Sequence, residues 1–402
     1  MKAPGPTSLL GTETTEKRLK RFKALDAWRG VCATLVALAH LEAFSHFYAW
    51  PFVRGSYLFV DFFFVLSGFV ITHSTVIANA NGAGEFIVRR FGRLWPLHIA
   101  VLIAFVALEL VRSGASHFGY PAESAPFSNP AWSPSAIVRN VLLAQGIGAD
   151  RSETWNLPSW SISAEFYTYL VFAWICCLSA KWRTLTCSVL LLGGASALFV
   201  LSPTYIATEF DYGIFRCFYG FFTGHFVYRL YRASPQSLAW FANHSTLSEL
   251  LCVAGVLLFV SLAGIGPWSM LAPPVFGLAV FVFANEAGAV SGMLRLKYFQ
   301  SLGDWSYSIY MVHMLLLTVL TYAVRAAVKM LDLQLGAGNL VIDGQTKSLL
   351  LIGNQWWMDL LALGFLLSLA ITASISYRVI ETPARIYFNG LAKRIFRVSA
   401  IG

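Results

Sequence analysis

Long apolar runs, each closed by a short cluster of charge or of Gly and Pro, recur along nearly the whole chain. A helix needs about 20 mostly apolar residues to cross a bilayer. The runs therefore predict ten spans, near residues 27–48, 57–77, 95–113, 159–180, 184–201, 214–231, 248–264, 268–286, 303–327 and 357–379. Ile137–Ile147 is apolar but too short to cross, and reads as re-entrant or interfacial. The expected fold class is all-α: a polytopic transmembrane helical bundle. The first span carries two ionisable side chains, Arg29 and His40. At about 100° per residue, eleven steps return to within about 20° of the start, so both lie on one helix face. About 16 Å of helix rise separates them. That places a cation near the membrane edge and an imidazole near mid-bilayer. Ionisable groups at such depth cost a few kcal/mol each and mark pathways or reaction sites, although a histidine satisfied by a neighbouring helix is the plain alternative.

Composition supports the class. Hydrophobic residues make up 57% of 402, charged residues 12%, and the mean hydropathy is +0.63, more apolar surface than a soluble fold of this length buries. The first 25 residues are polar and basic and lack the apolar core of a cleavable signal peptide. The six cysteines lie in or beside apolar stretches, without disulfide or metal-ligand spacing. Lys and Arg mark the cytoplasmic side. With the N-terminus inside, every inner connection is basic and 21 of the 29 Lys and Arg fall inside, so both termini are expected in the cytoplasm. The net charge of +9 is thereby explained by topology and anionic lipid, without nucleic acid. The longest outer segment, about Ser113 to Pro158, is rich in Pro, Ser and aromatics and would roof a site.

Four further groups carry chemistry. Arg90 and Arg93 are three apart on one helix face at the inner side, and arginine forks clamp phosphate bidentately. A positive-inside anchor is the competing reading. Asp61 and Glu165 sit soon after the outer entrances of spans two and four, where a carboxylate needs a cation or water. For Asp61 the alternative is a structural ion pair with an interface arginine such as Arg54. Glu165 stands among Trp160, Ser163 and Tyr167. In span nine, Ser306, Tyr310 and His313 follow i, i+4, i+7 and form one polar stripe, which faces helices or a cavity. Packing is as good an explanation of that stripe as catalysis.

Taken in order, these segments resemble the acyltransferase family 3 membrane proteins. Leu25-Asp26-Ala27-Trp28-Arg29-Gly30 followed by His40 is similar to the opening Arg-x10-His signature. The stretches Asp61 to Phe69, Arg90-x-x-Arg93 with Pro96, Trp160 to Tyr167, Trp305 to His313, and Ile380-Glu381-Thr382-Pro383-Ala384-Arg385 look like the remaining landmarks. The resemblance covers about residues 22 to 388. Ala164 and Phe166 depart from the usual pattern, which bears on acceptor choice more than on reaction class. The resemblance implies a basic N-terminal tail (1–24), a transmembrane acyltransferase domain (25–388) and a C-terminal tail (389–402) in a bacterial inner membrane. It implies transfer of an acyl group, usually acetyl, from acyl-coenzyme A to a hydroxyl of a carbohydrate or lipid-linked glycan, with no metal. Arg29, Arg90 and Arg93 would then hold the donor. His40 would act as base or nucleophile, with Glu165 or Asp61 orienting or charge-balancing it. Ser163, Ser306, Tyr307, Tyr310 and His313 are the weaker candidates for substrate or oxyanion contacts. Two alternatives stand beside this: acetylation or succinylation of a cytoplasmic small molecule, and a proton-coupled transporter. A transporter predicts internal repeats and matching broken helices, and the chain has neither.

Overall fold

The computed structural model describes residues 20–75, 80–117, 125, 127–149, 152–233, 244–330, 332, 335–342 and 345–398. The expected N-terminal tail lies almost wholly outside these. Twelve numbered helices organise the described residues: α1 Lys23–Ala39, α2 Phe59–Ser74, α3 Ala80–His117, α4 Pro134–Val141, α5 Ser159–Cys176, α6 Ala180–Leu201, α7 Gly213–Ala233, α8 Ser245–Leu262, α9 Ala272–Phe283, α10 Lys297–Met330, α11 Gln355–Ser376 and α12 Thr382–Val398. Each of the ten sequence-predicted spans falls on one of them. Six helical stretches are long and apolar enough to cross a membrane, and the shorter or more polar α1, α5, α7 and α9 pack among them. The chain is an all-α polytopic membrane protein.

Two helix pairs set the interior. α1 and α10 run parallel and touch along their length: Asp26 lies against Gly303, Arg29 against Ser306 and His40 against His313. The approach needs glycine, because a Cβ on Gly303 would stand 2.5 Å from the Asp26 carbonyl oxygen. α2 and α7 are parallel in the same way, with Gly68 against the backbone of Phe221 and a buried Asp61–Arg216 pair near their N-terminal ends. Small residues at such crossings let helices gain the dispersion contact that drives association in lipid.

The structure adds four local features to the sequence reading. α1 stops at Ala39, because Leu41–Phe44 turns away and bonds to a strand: Phe44 N–H donates to the Leu350 carbonyl at 2.8 Å. That strand belongs to an unanticipated antiparallel hairpin, β1 Leu335–Ile342 with β2 Gln345–Ile352. The apolar stretch around Ile137 forms the eight-residue α4 and a tight turn, with buried Asn140 and Gln145 bonded to Thr154 and Ser159. Residues 389–398, expected as tail, continue α12, which packs on α3 where Gly84 meets Phe396 and Gly92 meets Phe388. All six cysteines are free thiols.

Candidate active site

A cavity of about 100 Å3 lies between α1, α2, α3, α5 and α10. Arg29, Arg90, Arg93, Glu165, Tyr169, Ser306, Tyr307 and Tyr310 all line it. The three arginines predicted to grip one ligand are thus brought to one wall-to-wall space, although α1 and α3 are far apart in the chain. Arg29 Nε donates to Ser306 Oγ at 2.7 Å, and its Nη2 donates to the Gly303 carbonyl at 3.1 Å. The guanidinium of Arg90 lies over the rings of Phe86 (5.4 Å) and Tyr169 (5.6 Å). Among the described residues, Arg90 and Arg93 have no ion-pair partner within 4 Å. Their charge is balanced at longer range by Glu165 and Glu381.

Glu165 faces this cavity because Ser161, Glu165 and Tyr169 recur every four residues on α5. The Tyr169 hydroxyl donates to Glu165 and meets Ser67 Oγ at 2.9 Å. The neighbourhood expected around Glu165 lies elsewhere. Ser163 is buried on another face, accepting from Gly146 N–H at 3.0 Å and donating to the Leu143 carbonyl, so it pins the turn after α4. Trp160 stacks over the Arg216 guanidinium at 5.3 Å.

Arg90 and Arg93 also line a second, wider cleft of about 520 Å3, at the end of the bundle where α2 ends and α3 begins. Arg89 and Arg385 line it as well, with Glu85 bridged to Arg89. The two spaces therefore share a cationic neck. Glu381 stands behind that neck, on a π-helical turn, Tyr377–Glu381, between α11 and α12. It accepts from Ser308 Oγ at 3.0 Å.

His40 does not line the cavity. It caps the C-terminal end of α1, where Nδ1–H donates to the Val36 carbonyl at 2.8 Å. A carbonyl only accepts, so the proton is on Nδ1 and the Nε2 lone pair remains available to a substrate. The His40 ring lies 5.1 Å from that of fully buried His313, and His313 lies 5.8 Å from Tyr310, whose ring lines the cavity. One aromatic layer separates the arginine cavity from the imidazole. Glu42 and Glu153 act electrostatically on His40, whereas Glu165 acts on the arginines. In the loop before α7, burial, reinforced by Glu153, pushes the Glu209 carboxyl up to about 8, so Glu209 retains a proton near neutral pH.

Asp61 also lies off the cavity. Its two oxygens accept from Arg216 Nε at 3.0 Å and Nη2 at 2.8 Å, and both residues are buried. Arg54 instead donates to the carbonyls of Tyr48 and Ala49. The hydroxyls of Tyr307 and Tyr310 are engaged with the Leu94 carbonyl and with Ser161. Sequence reasoning passed over Tyr169, Ser161 and Glu381 as site residues. The i+4 spacing from Glu165 was the available signal for the first two.

Three half-buried arginines thus converge on one cavity of a membrane helical bundle, with the His40 imidazole beyond its aromatic wall. The acyltransferase-domain family model matches residues 22–379, and the chain belongs to that family, acyltransferase family 3. Membership of an acyltransferase-domain family weighs against the transporter alternative. It is 41% identical over 91 residues to protein 2 in the picA locus of Rhizobium radiobacter, 22% of this chain and 46% of that protein. The acyltransferase MdmB of Streptomyces mycarofaciens is 29% identical over 165 residues, 39% of each chain. The peptidoglycan O-acetyltransferase OatA of Listeria monocytogenes is 24% identical over 345 residues, 77% of this chain and 51% of that one. The chain thus spans about half or less of the length of these relatives. No solved structure matches it.

Proposed function

We propose that the protein transfers an acyl group, acetyl in the first instance, from cytoplasmic acyl-coenzyme A to a hydroxyl of a carbohydrate or lipid-linked glycan at the outer face. The observation that carries this reading is the pair of spaces sharing Arg90 and Arg93: a wide cleft at one end of the bundle and a narrow cavity leading inward. That shape suits a ligand with a bulky anionic head and a thin arm. Arg29, Arg90 and Arg93 hold phosphate, and the arm runs past Ser306, Tyr307 and Tyr310 towards His40. Arg29 and His40 are about 16 Å apart along α1, comparable to the reach of a pantetheine arm. His40 Nε2 takes the proton of the acceptor hydroxyl as its oxygen attacks the thioester carbonyl. The carbon–sulfur bond breaks, and coenzyme A leaves as a thiolate that is then protonated. Glu165 and Glu381 balance the arginines, while Asp61 acts through Arg216 as an anchor of α2 on α7. The hydroxyl acceptor is supported by the likeness to the Listeria O-acetyltransferase. The donor side is supported by the basic inner segments.

The test is sidedness. Acetyl-coenzyme A supplied only to the cytoplasmic face of sealed vesicles is expected to acetylate a glycan confined to the opposite face. Product formed only when donor and acceptor share the cytoplasmic face would overturn the across-membrane arrangement and favour a small-molecule acceptor.

A further inference from the structure

The wide cleft carries more positive charge than a pyrophosphate at the neck requires. Arg90 and Arg93 face both spaces, so the bridging phosphates of a donor whose arm enters the cavity fall beside them. The rest of the donor then lies in the cleft, among Ser74, Thr75, Arg89, Arg385 and Asn389. A space of about 520 Å3 is within the range that small-molecule sites occupy. Of the two arginines confined to this cleft, Arg89 is bridged to Glu85 one helical turn earlier. Arg385 is different. Among the described residues it has no ion pair within 4 Å, and its guanidinium rests 6.0 Å from the centre of the Tyr377 ring. A half-buried arginine, held by an aromatic face and turned to a polar cleft, is a ready partner for a phosphomonoester.

We infer that the cleft seats the nucleotide of the donor and that Arg385 binds its ribose 3′-phosphate, the group that separates coenzyme A from its dephospho form. This assignment rests on the acyl-coenzyme A reading above. α12 thereby acquires a role. It packs on α3 through Gly84 and Gly92, and that contact sets Arg385 opposite the arginines of α3.

The experiment measures kcat/KM for acetyl-coenzyme A and for acetyl-3′-dephospho-coenzyme A in the same vesicle preparations of wild type, Arg385→Gln and Arg385→Lys. Comparing two donors on one protein removes differences in folding or yield. Wild type is expected to favour the 3′-phosphorylated donor by roughly tenfold or more, the effect of one hydrogen-bonded charge contact. Arg385→Gln should lose most of that preference through a fall with acetyl-coenzyme A alone, and Arg385→Lys should restore part of it. Equal loss with both donors, or no preference in wild type, would overturn the assignment while leaving acyl-coenzyme A as donor. Turnover of neither donor would remove the acyl-coenzyme A reading and this assignment with it. If anionic lipid phosphate occupies the cleft instead, the donor preference of Arg385→Gln stays at the wild-type value while activity follows phosphatidylglycerol content, and the assignment also fails.

Discussion

Gly303→Ala is the smallest change that separates α1 from α10. The added Cβ would lie 2.5 Å from the Asp26 carbonyl oxygen and 2.7 Å from its carbon, both backbone atoms that no rotamer change can move. Ordinary contact begins near 3.4 Å, so the helices must part by about 1 Å at this level. The Arg29–Ser306 bond, now 2.7 Å, would then open beyond hydrogen-bonding range. The His40 and His313 rings, 5.1 Å apart, would separate as well. Overpacking of this kind costs about 1–3 kcal/mol, which a large bundle survives. A misplacement of about 1 Å at reacting groups can cost about a hundredfold in rate. The expected result is a folded protein, with a modestly lower Tm in detergent, that transfers labelled acetyl from acetyl-coenzyme A to membrane glycan at least tenfold more slowly. Gly364, on lipid-facing α11 with no atom near a new Cβ, is the control, and Gly364→Ala should change neither quantity. Wild-type transfer by Gly303→Ala would refute the claim that close α1–α10 contact aligns Arg29 and His40.

Two further substitutions address the charged residues. His40→Ala should abolish transfer while leaving expression and Tm near wild type, since the ring's one bond is to its own helix; transfer assayed at equal protein amount decides it. Asp61→Leu alone leaves buried Arg216 unpaired and should cost about 3–5 kcal/mol, whereas Asp61→Leu with Arg216→Met should recover Tm and retain transfer. A double variant that folds but transfers nothing would return Asp61 to the reaction.

The long helices were legible because twenty-residue apolar runs have few alternative fates in lipid. The shared face of Arg29 and His40 was legible from helical period alone, and both residues point towards α10. What period cannot supply is the partner. Asp61 was assigned Arg54 as its structural candidate because Arg54 is near in sequence, but the partner, Arg216, is 155 residues away on a helix whose register only packing fixes. Glu165 was grouped with Ser163 and Tyr167, yet the cavity selects the face one step round, Ser161–Glu165–Tyr169. The hairpin after α10 had a local signal, Asp343-Gly344 between two strand-like runs. Lying between two long apolar runs, the stretch reads as a connection.

The separation of Glu165 from His40 changes how the charges work. Three arginines facing one small cavity in a membrane bundle repel one another, and without anions their burial would be prohibitive. Glu381, Glu165 and Asp26 are carboxylates within electrostatic reach of Arg93. Asp26, 3.7 Å from Arg29, is shared with Arg21 at 2.7 Å, so these carboxylates offset the cavity arginines only in part. Under the proposed function, that partial balance permits the empty site to fold while keeping it short of anion. A donor carrying pyrophosphate completes the neutralisation, and its binding should draw the α1, α3 and α5 walls together. His40 needs no such partner in its resting state, because its bond to the Val36 carbonyl fixes the proton of the neutral ring on Nδ1 and leaves Nε2 open. The imidazolium formed during transfer would be stabilised by Glu42 and Glu153, the acids that act electrostatically on the ring. Donor affinity and base strength are thus set by different carboxylates. Neutralising Glu165 should therefore disturb binding of the phosphorylated donor before it disturbs the pH dependence of the chemical step.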